Sequence, residues 1–167
     1  PPRDTIEALA AHYVDAVQIA APLGPVLLAG WSLGAQVAFQ MGHELLTRGR
    51  SASLIALVDA DPSLPDPETL PAPGDPVPWL AAIAEYIERI GGRPLGMSVD
   101  EIAAMPANTR LDRFLGALKE ARIPNTPTAE RLGRLLTVFE ANSRALARYR
   151  PQPLSARLTV LQCEDSA

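Results

Sequence analysis

The sequence predicts an α/β fold, a mostly parallel sheet carrying a helical insertion, and three observations predict it. Two short unbroken apolar runs, Val26 to Ala29 and Leu54 to Val58, flank an amphipathic segment of helical length, the pattern of a strand, a crossover helix and a second parallel strand. A Pro-rich stretch from Asp61 to Pro78 then opens a region in which only helical periodicities occur. At Leu158 to Cys163 the strand pattern resumes, which makes the helices an insertion within the strand series. Composition agrees, because 167 residues with 47% hydrophobic content suit one domain with a core, and 17 prolines are too many for an all-helical bundle.

The elements follow in order. Asp4 and Glu7 have capping-box spacing, and Ile6, Leu9, Ala10, Tyr13, Val14 and Val17 recur at helical intervals, predicting a helix over 5–19 with His12 and Asp15 on its polar face. Pro22, Gly24 and Pro25 end it, and Val26 to Ala29 reads as a central strand buried on both faces. Leu33, Val37, Ala38, Met41 and Leu45 give a second helix up to Thr47, with Gly49 as its stop. Beyond the second strand, Asp61 before Pro62 reads as turn chemistry, and helices are expected over 78–90, 99–105, 109–121 and 128–149. Ser98 with Glu101 supplies one capping box, Thr126 with Pro127 reads as the start of the last helix, and Pro151 and Pro153 end it. The resulting division is a single domain whose core comprises 1–61 and 151–167 and whose insertion comprises 62–150.

Fifteen Lys and Arg against nineteen Asp and Glu give a net charge of -4, which argues against nucleic acid or an anionic membrane as a partner. The single Cys163 cannot form an internal disulfide, and neither a leader pattern nor an eighteen-residue apolar run occurs, so a cytoplasmic protein is expected. Cys163 in an apolar strand reads as a packed thiol. No cluster of Cys, His and carboxylates has metal-ligand spacing, so neither metal nor cofactor is expected within this domain.

One motif carries chemistry. Gly30-Trp31-Ser32-Leu33-Gly34 fits G-x-S-x-G between a buried strand and a helix, the context of a nucleophile elbow. Two glycines suit a sharp turn that strains the serine backbone, and larger side chains at 30 and 34 are expected to collide with neighbouring elements. The Ser32 hydroxyl then emerges at the positive end of a helix, with the Leu33 N–H as the natural oxyanion donor. The competing reading is a Gly-rich turn with Ser32 as a helix cap.

A serine nucleophile needs a base and an orienting carboxylate. Asp59 ends the neighbouring parallel strand on the same rim, and from position alone it serves equally well as a turn residue. Asp165, after the last strand, is the rival acid. His43 lies eleven residues along the helix from Ser32, roughly 16 Å by helical rise, and is too far to act as base. His12 reads as a solvent-facing residue. The base is therefore expected beyond Ala167, and the second oxyanion donor upstream of the first helix, so the chain reads as a fragment lacking N-terminal strands and a His-bearing C-terminal segment.

These residues resemble the type I thioesterase domains of nonribosomal peptide synthetases and related polyketide synthases, members of the α/β-hydrolase superfamily. The resemblance rests on the elbow with Gly24-Pro25 before it, on Val37-Ala38-Phe39 and on Leu57-Val58-Asp59. Further along it rests on Gly92-Arg93-Pro94-Leu95-Gly96, Ala145 to Tyr149, Arg150-Pro151-Gln152-Pro153 and Leu158-Thr159-Val160. Ala35 stands where many relatives have a second glycine. The resemblance implies Ser32 as nucleophile and Asp59 as acid in a chain-releasing thioesterase, which takes a peptidyl or acyl chain from the phosphopantetheine of a carrier domain and releases it by hydrolysis or macrocyclisation. It also implies that 62–150 is a lid, with Trp79, Leu80, Ile83, Phe114 and Leu118 either lining the acyl site or packing the lid core. Alternatives are a free-standing editing thioesterase or esterase using Asp165, and a non-catalytic docking domain.

Overall fold

The computed structural model describes residues 2–60, 65–92 and 94–163, which form two compact units. The first unit comprises residues up to Leu70 and from Ala141 onward. In it, α1 (Ile6–Ala20), β1 (Val26–Trp31), α2 (Leu33–Thr47) and β2 (Ala52–Val58) follow one another, and β3 (Leu158–Leu161) completes the sheet. All pairs are parallel in the order β1-β2-β3, with Trp31 opposite Val58 and Val58 opposite Leu161. Three strand ends thus share one rim.

The helices α1 and α2 supply one side of the core. Ile6, Ala10 and Val14 from α1 and Val37, Ala38, Met41 and Leu45 from α2 form one cluster with Val26, Leu28, Ile55 and Leu57. Each such fully buried Ile, Leu or Val contributes roughly 1.5–3 kcal/mol. The expectation that β1 is buried on both faces is corrected here: Val26 and Leu28 are buried, whereas Leu27 is 68% and Trp31 55% exposed. The helices α1 and α2 cover the face that carries Val26 and Leu28, so residues on alternate faces meet core and solvent in turn.

Local chemistry sets the boundaries. Thr5, rather than Asp4, caps α1, its hydroxyl accepting from the Ala8 N–H at 3.0 Å, which is the geometry Ser and Thr supply at this position. Gly49 adopts φ 73° just past α2, as a helix stop requires. Arg48 binds α1 and α2 together through Asp15, Gln18 and Glu44, and the two carboxylates raise its pKa. Near the end of α6 (Ala129–Arg148), Tyr149 is buried and its hydroxyl donates to the Gln40 side chain at 2.9 Å.

The second unit, Pro71–Glu140, contains α3 (Pro76–Gly91), α4 (Val99–Ala104), α5 (Arg110–Glu120) and the first part of α6. Asp75 caps α3 before Pro76, and the Glu88 carboxylate accepts from the N–H groups of Leu95 and Gly96, closing the Gly-rich turn back on the helix. Ser98 and Glu101 form the expected capping box of α4, which lowers the Glu101 pKa chiefly through the Ser98 backbone N–H. The start of α6 is Thr128, whose hydroxyl accepts from the Arg131 N–H; Thr126 instead donates to the Ile123 carbonyl. On α6, Leu132 and Leu136 are buried while Leu135 and Phe139 are exposed, with Phe139 edge-on to Trp79 at 5.6 Å.

Candidate active site

The site is the rim where β1 hands over to α2. Trp31 ends the strand, Ser32 takes φ 53° and ψ -123°, and Leu33 begins the helix. A β-branched or bulky residue resists that backbone, and even for serine it costs of order 1–3 kcal/mol. Two hydrogen bonds hold it: the Ser32 N–H donates to the Val58 carbonyl at 2.9 Å, and the Ala35 N–H donates to the Ser32 carbonyl at 2.9 Å.

Gly30 is required because the helix start lies directly against it. A methyl group there falls 1.9 Å from the Gly34 carbonyl oxygen and 2.6 Å from the Ala35 nitrogen. The parallel expectation for Gly34 is corrected, since a methyl group at 34 meets nothing within 4 Å. What presses on Gly30 is the backbone of Gly34, while the missing side chain of Gly34 points into open space. The turn thus needs one glycine for contact, with the strain carried by Ser32.

The Ser32 side chain is exposed and makes no capping hydrogen bond to α2. An N-cap serine ordinarily has extended backbone and a hydroxyl engaged with the second or third helical N–H; Ser32 has neither. The leading N–H groups of α2, Leu33 among them, have no acceptor within the helix, and their partial positive charge favours a developing anion near the helix start.

Asp59 follows Val58, the register partner of Trp31, so it leaves the sheet on the same rim as Ser32. It also has a left-handed backbone, φ 46°, and its N–H donates to the Leu161 carbonyl at 2.8 Å. Both carboxylate oxygens are engaged. Oδ2 accepts from the Trp31 indole Nε1–H at 3.1 Å, and Oδ1 accepts from the Cys163 backbone N–H at 2.7 Å. Each oxygen keeps a second lone-pair direction for another donor. The sequence reading missed both partners; the signal was the register, since residues 31, 59 and 163 all fall at or just past the ends of adjacent strands.

The remaining expectations resolve individually. The His43 Nε2–H donates to the Gln152 carbonyl at 2.8 Å and the ring packs edge-on to Phe39, while His12 is exposed beside Tyr13. Cys163 is corrected from a packed to an exposed thiol, because β3 ends at Leu161 and the edge strand is open. Trp79, Leu80, Phe114 and Leu118 are buried within the second unit and Ile83 half-buried, so the first four have their surface spent on that unit's own core. Asp61, Glu164 and Asp165 lie outside the described residues. Among the described residues no helix is long and apolar enough to cross a membrane, and no group of three or more His, Cys, Asp or Glu could hold a metal.

Two grooves flank the elbow within the first unit. One, of about 490 Å³, runs along the open side of β1 past Leu27, Trp31, Leu33 and Gly34. The other, of about 400 Å³, is lined by Gln36, Phe39, Leu57, Ala60 and Val160.

The chain is 37% identical over 126 residues, 72% of its length, to the dimodular nonribosomal peptide synthase of Bacillus subtilis (strain 168). It is 33% identical over 115 residues, 69% of its length, to the non-reducing polyketide synthase crz7 of Cladonia metacorallifera. It spans 5% of each of those relatives. Among solved structures it resembles a four-domain nonribosomal peptide synthetase bound to AMP and glycine, with TM-score 0.81 and 23% identity over 98% of this chain and 12% of that one. It also resembles the NocB thioesterase domain in covalent complex with a fluorophosphonate nocardicin G analog, with TM-score 0.55 and 20% identity over 96% of this chain and 54% of that one. These likenesses carry the α/β fold. The family model described as thioesterase domain matches residues 1–167, and the chain belongs to that family.

Proposed function

We propose that the chain is the chain-releasing thioesterase portion of an assembly-line protein, with Ser32 as nucleophile and Asp59 as the acid of its triad. The observation that carries this reading is the exposed, uncapped Ser32 hydroxyl on a strained turn, with a doubly anchored carboxylate at the register-matched end of the next strand. The partner is a carrier domain that presents a peptidyl or acyl thioester on phosphopantetheine. The reaction is sited in the cytoplasm.

Ser32 Oγ attacks the thioester carbonyl while a base removes its proton. The tetrahedral oxyanion is stabilised by the Leu33 N–H and the end of the α2 dipole. Collapse breaks the C–S bond, and the phosphopantetheine sulfur leaves as the thiol, taking the proton the base had accepted. Water, or a nucleophile within the acyl chain, then attacks the seryl ester as the base takes its proton, and that proton passes to Ser32 Oγ when the ester C–O bond breaks. Asp59 orients the base and stabilises its charged form. His43 is held by Gln152 and His12 faces solvent, so the base is a histidine contributed from outside these 167 residues.

A fluorophosphonate probe applied to the whole protein tests the reading. Label is expected in the wild type and absent after Ser32→Ala, with Asp59→Asn slowing labelling by about 10³-fold or more. Equal labelling after Ser32→Ala overturns the nucleophile, and a fall on Asp165→Asn but not Asp59→Asn transfers the acid role.

A further inference from the structure

We propose that Trp31, the variable residue before the serine in the elbow motif, is a positioning residue that fixes the Asp59 carboxylate through its indole N–H. This rests on the reading of Asp59 as the triad acid. Asp59 leaves β2 in a left-handed conformation, from which its side chain has no helix or strand to define its direction. Two donors define it instead. The Cys163 N–H fixes one oxygen at 2.7 Å from the end of β3, and the Trp31 Nε1–H fixes the other at 3.1 Å from the end of β1. The carboxylate is thereby tied across the ends of three adjacent strands, and rotation about its side-chain bonds breaks at least one of the two hydrogen bonds.

An indole suits this task from position 31. Ser32 and Asp59 follow register partners, so a side chain at 31 must reach across to the neighbouring strand and one residue onward; indole carries its N–H far enough from the backbone, whereas Phe and Leu offer no donor. Trp31 is 55% exposed, so the bond faces solvent on one side and its effect is moderate.

The test is saturation kinetics of fluorophosphonate labelling in the whole protein, normalised to titratable Ser32, for Trp31→Phe, Asp59→Asn and the double variant. Trp31→Phe is expected to lower the maximal labelling rate about tenfold at unchanged half-saturation. In the Asp59→Asn background the same substitution is expected to cost nothing further. A wild-type rate for Trp31→Phe alongside a disabled Asp59→Asn overturns the positioning role and leaves the triad reading intact. An equal loss in both backgrounds overturns it in favour of a packing role. A wild-type Asp59→Asn removes the triad reading itself and the positioning role with it.

Discussion

The two glycines of the elbow motif look equivalent in sequence and are opposite in structure, which gives a sharp differential prediction. A Cβ at position 30 falls 1.9 Å from the Gly34 oxygen, 2.3 Å from the Gly34 carbon and 2.6 Å from the Ala35 nitrogen, all backbone atoms. Carbon and oxygen pack no closer than about 3.2 Å, so Gly30→Ala forces the start of α2 away from the end of β1 by roughly an ångström. That motion stretches the Ser32 N–H bond to Val58 and opens the core around Ala35, which is fully buried. Overpacking against backbone predicts a loss of about 3 kcal/mol or more. Gly34→Ala meets nothing within 4 Å, and alanine is favoured over glycine in a helix by about 0.8–1.0 kcal/mol, so the expected change runs from neutral to that gain. The assay is equilibrium urea unfolding followed by Trp31 fluorescence in a Trp79→Phe background, where the remaining indole reports on the elbow itself. Equal midpoints for the two variants, or a midpoint for Gly30→Ala at or above that of the parent, refutes the reasoning.

Three further outcomes follow from particular contacts. Tyr149 should ionise well above the ordinary tyrosine range, since burial, and then the charge of Glu7, push its pKa up to about 12; a spectrophotometric titration reads this. Because the folded value lies above the unfolded one, the stability from this site is complete below about pH 10 and is lost as pH rises toward 12, whereas Tyr149→Phe abolishes that alkaline loss and costs about 1 kcal/mol through the Gln40 hydrogen bond. In the second unit Glu101→Gln weakens the α4 cap. The wild-type carboxyl is held below the usual carboxylate range, so its contribution is present above that range and disappears on acidification, and thermal melts of the two should converge at low pH. Produced by themselves, the 167 residues should self-associate through the edges of the sheet, where Leu27 and Val160 are exposed by 68% and 58%; sedimentation should show Leu27→Lys and Val160→Lys more monomeric.

Most of the architecture was legible because apolar period and strand length agree. Val26, Leu28, Ile55 and Leu57 alternate into one cluster with a helix between them, and that is what a parallel crossover demands. Failures came where neighbours across the sheet decide. The same run that spelled a strand buried on two faces leaves Leu27 open, because burial depends on what covers the second face and no local pattern encodes that. Caps shifted by one or two residues, from Asp4 to Thr5 and from Thr126 to Thr128, since several hydroxyls and carboxylates stand close together and only backbone direction selects one.

The site divides along the same line. Ser32 was visible because its motif, strand and helix are contiguous in sequence, whereas the anchoring of Asp59 joins residues 28 and 104 positions apart. Such contacts follow from strand order, not from spacing. Had β3 paired with β1, Cys163 could not have reached the Asp59 carboxylate; with β2 in the middle, the acid stands between two strand ends, and each supplies a donor. The left-handed backbone of Asp59 has the same origin as that of Ser32: both residues must leave a parallel strand abruptly while their N–H groups stay bonded to a neighbour, Ser32 to Val58 and Asp59 to Leu161. The strain at the two positions is therefore held by two ladders that share β2, and loosening β3 should free the Asp59 backbone and one carboxylate oxygen while the serine turn, bonded to Val58 and closed by Ala35, stays in place.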